Sequence, residues 1–203
     1  MAKNADAKRL KILEGAKRRF AHYGLAKTTM AEIANDLSFS KALLYYYFPD
    51  KNRLYAAVFE MTIDQLLTDS SKKIDAATNV QEAMNSFLEA RLSTIKDNYN
   101  IFEFTYSLRN DLPSDLESVL SSMFEKECAQ IQTILNKGVE LGELQVDDLQ
   151  LTAKILLISL LGMRVGILQE IKNIFLPPSK EEYEYILQLQ RKLATIFLDG
   201  LRR

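Results

Sequence analysis

The sequence predicts an all-α protein of about nine helices and no strands, with an N-terminal three-helix unit of helix-turn-helix type and a larger helical C-terminal part. Three observations predict it. Residues 28 to 51 read as two short helices joined by a tight turn and stopped by a proline. Apolar residues recur at spacings of three and four in one segment after another. Gly24, Pro49, Pro113, Gly142 and Pro177-Pro178 punctuate those segments.

The first helix is expected over about Asp6 to Tyr23, with Leu10, Leu13, Ala16 and Phe20 inward and Gly24 as a left-handed C-cap. The second begins with a capping box, Thr29 accepting from the amide of Glu32 and the Glu32 carboxylate reaching back, and buries Met30, Ile33, Ala34 and Leu37. Ser38-Phe39 is the turn. Ser40 then caps a third helix from Lys41 to about Phe48, which Pro49 ends. Leu44 and Phe48, an i, i+4 pair, turn inward and leave Lys41, Ala42, Leu43, Tyr45, Tyr46 and Tyr47 outside or on the flanks. Exposure of so many tyrosines points to something that binds them, and the helix-turn-helix pattern points to DNA.

A fourth helix, capped by Asp50, runs through Leu54, Val58, Met61 and Leu66 toward Asp69 as a link to the C-terminal part. Helices follow near Val80 to Asp97 and Ile101 to Asn110. The long seventh, Ser114 to Leu141, has Leu116, Leu120, Met123, Cys128, Ile131, Leu135 and Val139 as inward positions. The last two span about Asp148 to Ile174 and Lys180 to Leu201.

Charge is distributed unevenly. Residues 1 to 55 carry 11 Lys and Arg against 5 Asp and Glu, and the remainder carries 15 against 22. The basic part holds the helix-turn-helix pattern, and Lys3, Lys8, Arg9, Lys11, Lys17, Arg18 and Arg19 crowd its first helix and lead-in, where they can attract phosphate without reading sequence. A hydrophobic share of 47% beside 26% charge is that of a folded rather than a disordered chain. One cysteine, Cys128, excludes an internal disulfide, and one histidine, His22, excludes a His/Cys zinc cluster. Asp147-Asp148 and Glu181-Glu182 are explained as negative charge at helix N-termini. No phosphate loop or nucleophile elbow is found, so the chain is expected not to be an enzyme and to need no cofactor or metal. The apolar stretch Ile155 to Leu168 is read as too short to span a membrane, and a cytoplasmic protein is expected.

The segment from Ala7 to Phe59, with Phe20, Gly24, Thr28-Thr29, Ser40-Lys41, Leu44-Tyr45-Tyr46 and Phe48-Pro49-x-Lys51, resembles the tetracycline-repressor (TetR) family of bacterial transcriptional regulators. It departs from the family where glycine is usual in the turn and Ser38 stands, where Ala42-Leu43 replaces Gly-Thr, and where Tyr47 replaces a frequent histidine. The resemblance implies a DNA-binding domain over residues 1–50 and an effector-binding and dimerisation domain over 51–203. DNA contacts are then expected from Thr28, Thr29, Ser40, Lys41, Ala42, Leu43, Tyr45, Tyr46, Tyr47 and Lys51, with Thr29 and Lys51 on phosphate. It further implies a repressor that binds a near-palindromic double-stranded operator as a homodimer. Dimer contacts are expected from the last two helices, through Leu156, Leu160, Met163 and Ile167 beside Gly162 and Gly166, and through Ile186, Leu189, Leu193, Ile196, Phe197 and Leu201. Periodicity alone allows these stripes to be internal instead.

Family resemblance also implies an effector pocket. Phe87, Arg91, Phe102, Tyr106, Arg109, Met123, Phe124, Met163 and Ile167 are the candidates, with Phe104, Arg164 and Gln169 nearby in sequence, either lining a cavity or filling a core. Their chemistry suits a small apolar or aromatic effector, with an arginine favouring an acidic group. The alternative is a DNA-binding regulator or architectural protein of the same fold with no small-molecule effector.

Overall fold

The computed structural model describes residues 2–102, 114–170 and 178–202. Nine helices run through them: α1 (Ala2–Tyr23), α2 (Met30–Asp36), α3 (Lys41–Tyr47), α4 (Lys51–Ala76), α5 (Val80–Asp97), α6 (Tyr99–Phe102), α7 (Ser114–Glu140), α8 (Leu149–Glu170) and α9 (Lys180–Asp199). Among the described residues there is no strand, only a single bridge pairing Leu144 with Arg202. The all-α expectation holds. Most boundaries fall within a few residues of those read from the sequence, but α4 continues past Asp69 to Ala76. The expected ends of the sixth and eighth helices, at Asn110 and Ile174, lie outside the described residues.

The chain gathers into two compact units, Met1–Asp64 with Asp97–Ser122, and Gln65–Lys96 with Met123–Arg203. The helix-turn-helix segment lies inside the first, together with the start of α4 and with α6. Its core is built from Ile12, Leu13, Ala16 and Phe20 of α1, Ile33 of α2, Leu44 of α3, and Leu54, Tyr55, Val58 and Phe59 of α4. Leu10, expected inward, is 50% exposed. The buried face of α1 starts instead at Ile12, which repeats with Ala16 and Phe20 at i, i+4, i+8. Gly15 has a packing reason: a Cβ there would stand 2.6 Å from a methyl of Leu37, so any side chain would force Leu37 to shift. Tyr55 meets Phe20 edge-on at 4.9 Å, and its hydroxyl donates to the Ile101 carbonyl at 2.6 Å, joining α4 to α6. Asn100 of α6 donates to the carbonyls of Ala21 and His22 at 2.8 and 3.1 Å, closing the C-terminus of α1.

The second unit buries Ile74, Val80, Met84, Phe87 and Leu88 against Ile131, Ile134 and Leu135 of α7, Leu156, Leu157 and Leu160 of α8, and Ala194 and Leu198 of α9. On α7 the inward face takes Ile134 rather than Val139, which is 38% exposed. Polar groups inside it are mostly paired. Gln130 donates to the Leu67 carbonyl at 3.1 Å and accepts from the Ser70 hydroxyl at 3.0 Å, and Gln190 donates to the Leu160 carbonyl at 3.2 Å. Arg91 Nε meets Glu127 Oε1 at 2.6 Å with both side chains almost fully buried, while Arg91 Nη1 and Glu127 Oε2 are buried with no hydrogen-bond partner among the described residues.

A buried ion pair stabilises little, since desolvation offsets most of the attraction, yet either partner alone is costly. Glu127→Ala should therefore destabilise the second unit by about 3–5 kcal/mol, whereas the double replacement Arg91→Met with Glu127→Leu should be near neutral or stabilising. Urea unfolding of the two variants checks it, and equal losses would contradict the argument. Ser38 is the described non-glycine residue with positive φ, at +54°, where an L side chain costs roughly 1 kcal/mol. Ser38→Gly should raise the thermal midpoint by about 2–4 °C in a calorimetric scan.

Candidate nucleic-acid interface

The recognition segment is held by caps at each joint. Thr29 Oγ1 accepts the Glu32 amide at 3.3 Å, and Glu32 Oε2 accepts the amide and hydroxyl of Thr29 at 2.9 and 2.8 Å, which is the expected capping box. The turn at Ser38-Phe39 uses the positive φ already described, and Ser40 Oγ accepts the Leu43 amide at 3.2 Å to start α3. Leu44 and Phe48 are buried as expected. Lys41, Ala42, Tyr45 and Tyr46 then share one exposed face at i, i+1, i+4 and i+5, with Tyr45 45% and Tyr46 80% exposed. Leu43 and Tyr47 form half-buried flanks, and the Tyr47 ring lies edge-on to Tyr46 at 5.2 Å.

Three expected DNA contacts have other work in the structure. Thr28 is fully buried and its hydroxyl donates to the Gly24 carbonyl at 2.8 Å, so its side chain cannot reach DNA without unfolding the loop. Lys51 turns its ammonium inward to the carbonyls of Leu25 and Thr28 at 2.8 and 2.9 Å, tying the start of α4 to the loop before α2. Thr29 remains exposed, but its amide and hydroxyl hydrogens are both taken by Glu32. Sequence reading missed the roles of Thr28 and Lys51, whose partners are backbone carbonyls, while the Thr29 contact is the capping box it expected.

Several α1 cations remain at the surface. Lys8, Lys11 and Arg18 are exposed, and Arg9 lies over the Phe48 ring at 5.3 Å. Arg19 behaves differently, with Nη2 on Glu32 Oε1 at 2.9 Å and Nη1 on Asp36 Oδ2 at 2.7 Å. His22 is exposed with Tyr23 edge-on at 4.4 Å. Among the described residues no group of His, Cys, Asp and Glu is arranged to hold a metal.

The effector candidates do not come together as one set. Phe87 and Arg91 are buried in the second unit, with Ile167 also buried and Met123, Phe124 and Met163 half-buried. Phe102 belongs to the first unit, where it packs on Phe59 at 5.1 Å. Tyr106 and Arg109 lie outside the described residues, as does Phe104. A surface cleft of about 300 Å³ between α4 and α7 is walled by Ser71, Gln130 and Thr133, and none of the nine candidates lines it.

On α8 the stripe Leu156, Leu160 and Ile167 is buried within the chain, and Met163 is half-buried, which corrects its reading as a dimer surface. The helix is apolar on its other side too: Leu151, Ile155 and Ile158 are about half exposed, and beyond the Cα atoms of Gly162 and Gly166 the space is open. The window Leu149–Ile167 is long and apolar enough to cross a membrane by length and composition alone, longer than the stretch read from the sequence. On α9, Ile186 is buried, Leu189, Leu193, Phe197 and Leu201 are half-buried and Ile196 is 58% exposed.

Residues 12–58 match the family described as bacterial regulatory proteins, tetR family. A transcriptional regulator from Cytophaga hutchinsonii has the same fold over nearly the whole length, with a TM-score of 0.82, 28% identity and coverage of 95% of this chain and 97% of that one. Its helix-turn-helix segment, residues 12–58, is similar to that of the TetR family. The HTH-type transcriptional regulator YfiR of Bacillus subtilis is 26% identical over 81% of this chain and 80% of its own. The transcriptional regulator FadR of Bacillus subtilis, solved in complex with stearoyl-CoA, shares the fold at a TM-score of 0.69 and 15% identity, over 95% of this chain and 99% of that one.

The helix-turn-helix segment is tied to a carboxylate. Glu32 is held below the usual carboxylate range, first by the Thr29 hydroxyl, then by the Thr29 amide and by Arg19. A group depressed on folding contributes stability above its unfolded pKa and loses it as pH falls through the folded one. The thermal midpoint should thus stay level above about pH 5 and fall below it, with Glu32→Gln showing a shallower fall than the unmodified chain. Melting curves across pH 2–7 check it; identical slopes would remove Glu32 from the account.

Proposed function

We propose that the chain is a repressor that binds a near-palindromic operator as a homodimer and is released by a small-molecule effector bound in the second unit. The observation that carries the dimer is α8, which spends one apolar stripe on its own core and still presents Leu151, Ile155 and Ile158 at i, i+4 and i+7. Three large aliphatics left half exposed on one helix face are better accounted for by a partner surface than by solvent. A second copy is the natural occupant, because a two-fold pair offers two recognition helices to the two halves of an inverted repeat.

DNA is read in this proposal by the exposed face of α3. Lys41 supplies a charged hydrogen bond to a base edge or phosphate, while Tyr45 and Tyr46 supply backbone hydrogen bonds or stacking. Ala42 and Leu43 add apolar contact, which suits a thymine methyl. Ser40, Thr29 and Tyr47 sit at the margins, and Lys51 and Thr28 act from inside by holding the loop. The cytoplasm, where the DNA is, is the proposed location.

For the effector, Phe87, Met123, Phe124, Met163 and Ile167 suit an apolar or aromatic body, and the Arg91 Nη1 that Glu127 leaves without a partner among the described residues suits an acidic group. FadR in complex with stearoyl-CoA supports that choice by analogy of fold only. Phe102 and Phe59 pack together in the same unit as α3, so a Phe102→Ala change would cost about 3–5 kcal/mol of that unit's stability rather than probe a pocket. To release DNA, the effector must bind the DNA-incompetent state more tightly than the competent one.

One titration series tests the proposal. Operator selected from genomic DNA should bind a dimer, and Ile158→Glu should give a monomer in sedimentation that no longer holds the inverted repeat. Lys41→Ala and Tyr46→Ala should each lose about 1–3 kcal/mol of operator affinity with the dimer intact. Apolar and acidic metabolites that raise the melting temperature should weaken operator binding; if none does, the regulator acts without a small-molecule effector.

A further inference from the structure

Arg19 stands in a run of cations that invites a phosphate-binding reading, yet its guanidinium folds back onto two carboxylates of the protein. Both terminal nitrogens are committed, to Glu32 at 2.9 Å and Asp36 at 2.7 Å, and the group lies 5.0 Å over the Tyr23 ring. The side chain is 16% exposed, whereas the two carboxylate side chains it forks are 41% and 48% exposed. Glu32 and Asp36 are i, i+4 neighbours on α2, a helix whose sequence, Met-Ala-Glu-Ile-Ala-Asn-Asp, has no cation of its own. Like charges at that spacing repel, and the first helix of a helix-turn-helix crosses the DNA backbone. Left alone, α2 would carry two negative charges toward phosphate.

We propose that Arg19 is a positioning residue for operator binding, which pins α2 to α1 and cancels Glu32 and Asp36 without itself touching DNA. The planar fork matters, since it satisfies two carboxylates at once and a lysine ammonium does not share that geometry. A direct phosphate contact and an internal clamp differ in what removal of Asp36 does. With Arg19→Gln alone, operator affinity should fall about tenfold because two carboxylates are released near the backbone. Adding Asp36→Asn restores the net charge of the cluster, so the double variant should return to within about threefold of the original affinity. Its plot of log K against log salt should keep the original slope.

The experiment is operator titration of R19Q, D36N and the double variant between 50 and 300 mM salt, with circular dichroism to confirm folding at the titration temperature. Should R19Q not fold, the double variant against D36N carries the comparison. A double variant that remains as weak as R19Q, with a slope smaller by about 0.9, means that Arg19 binds a phosphate and overturns the proposal. So does an R19Q chain that melts earlier but binds operator as tightly as the original, since that is a stabilising role alone.

Discussion

A helix of seven residues does not hold its shape in water, because nucleation costs more than so few hydrogen bonds return. The rest of the first unit answers to that constraint at α3. Leu44 and Phe48 anchor one side of it in a core made by α1, α2 and α4, and Ser40 supplies the amide partner that its first turn lacks. Lys51 fixes the loop ahead of α2, Gly15 lets α2 press against α1, and the capping box fixes where α2 begins. With its inner face held, α3 is free to spend the other face on Tyr45 and Tyr46. Ser38 accepts a strained backbone to make the turn between the helices, a local cost borne by a tightly packed neighbourhood.

The second unit solves a different problem. Its helices are long enough to hold themselves, so specificity must come from packing and from a few polar pairs. Gln190 on the Leu160 carbonyl sets α8 against α9, and Gln130 sets α7 against α4 through Leu67, Ser70 and Ser71. Arg91 with Glu127 is the expensive member of this group, two desolvated charges joined by a single hydrogen bond among the described residues.

Much of the fold was legible because its signals are local. The capping box at Thr29, the Ser40 cap, Pro49 and the glycines at 24 and 142 act within a turn of themselves, and both glycines take positive φ at 73°. The turn at Ser38 was legible in the same way, through the glycine that the family usually places there. Facing was less legible where apolar residues occupy two sides of a helix: Leu10 and Val139 read as inward and are exposed, and on α8 the stripe chosen for its apolarity is the internal one. Long-range polar partners were not legible at all. Nothing in the sequence around Lys51 or Asn100 says that a carbonyl will arrive beside it, and Arg19 looked like its neighbours until folding set Glu32 and Asp36 against it.

The half-bare side of α8 has a consequence for how much of the chain survives. An apolar face that loses its water only when another surface covers it adds the free energy of that covering to the folded state, by RT ln(1 + [L]/Kd) for a partner at concentration [L]. In the proposed homodimer, Leu151, Ile155 and Ile158 would thereby link stability to abundance. At low copy number the chain would stand on its own two cores, with that face open to misassembly and its unfolded fraction open to proteases. In the proposed homodimer the covering surface is a second copy, so there the supply of the chain would set its lifetime as well as its occupancy.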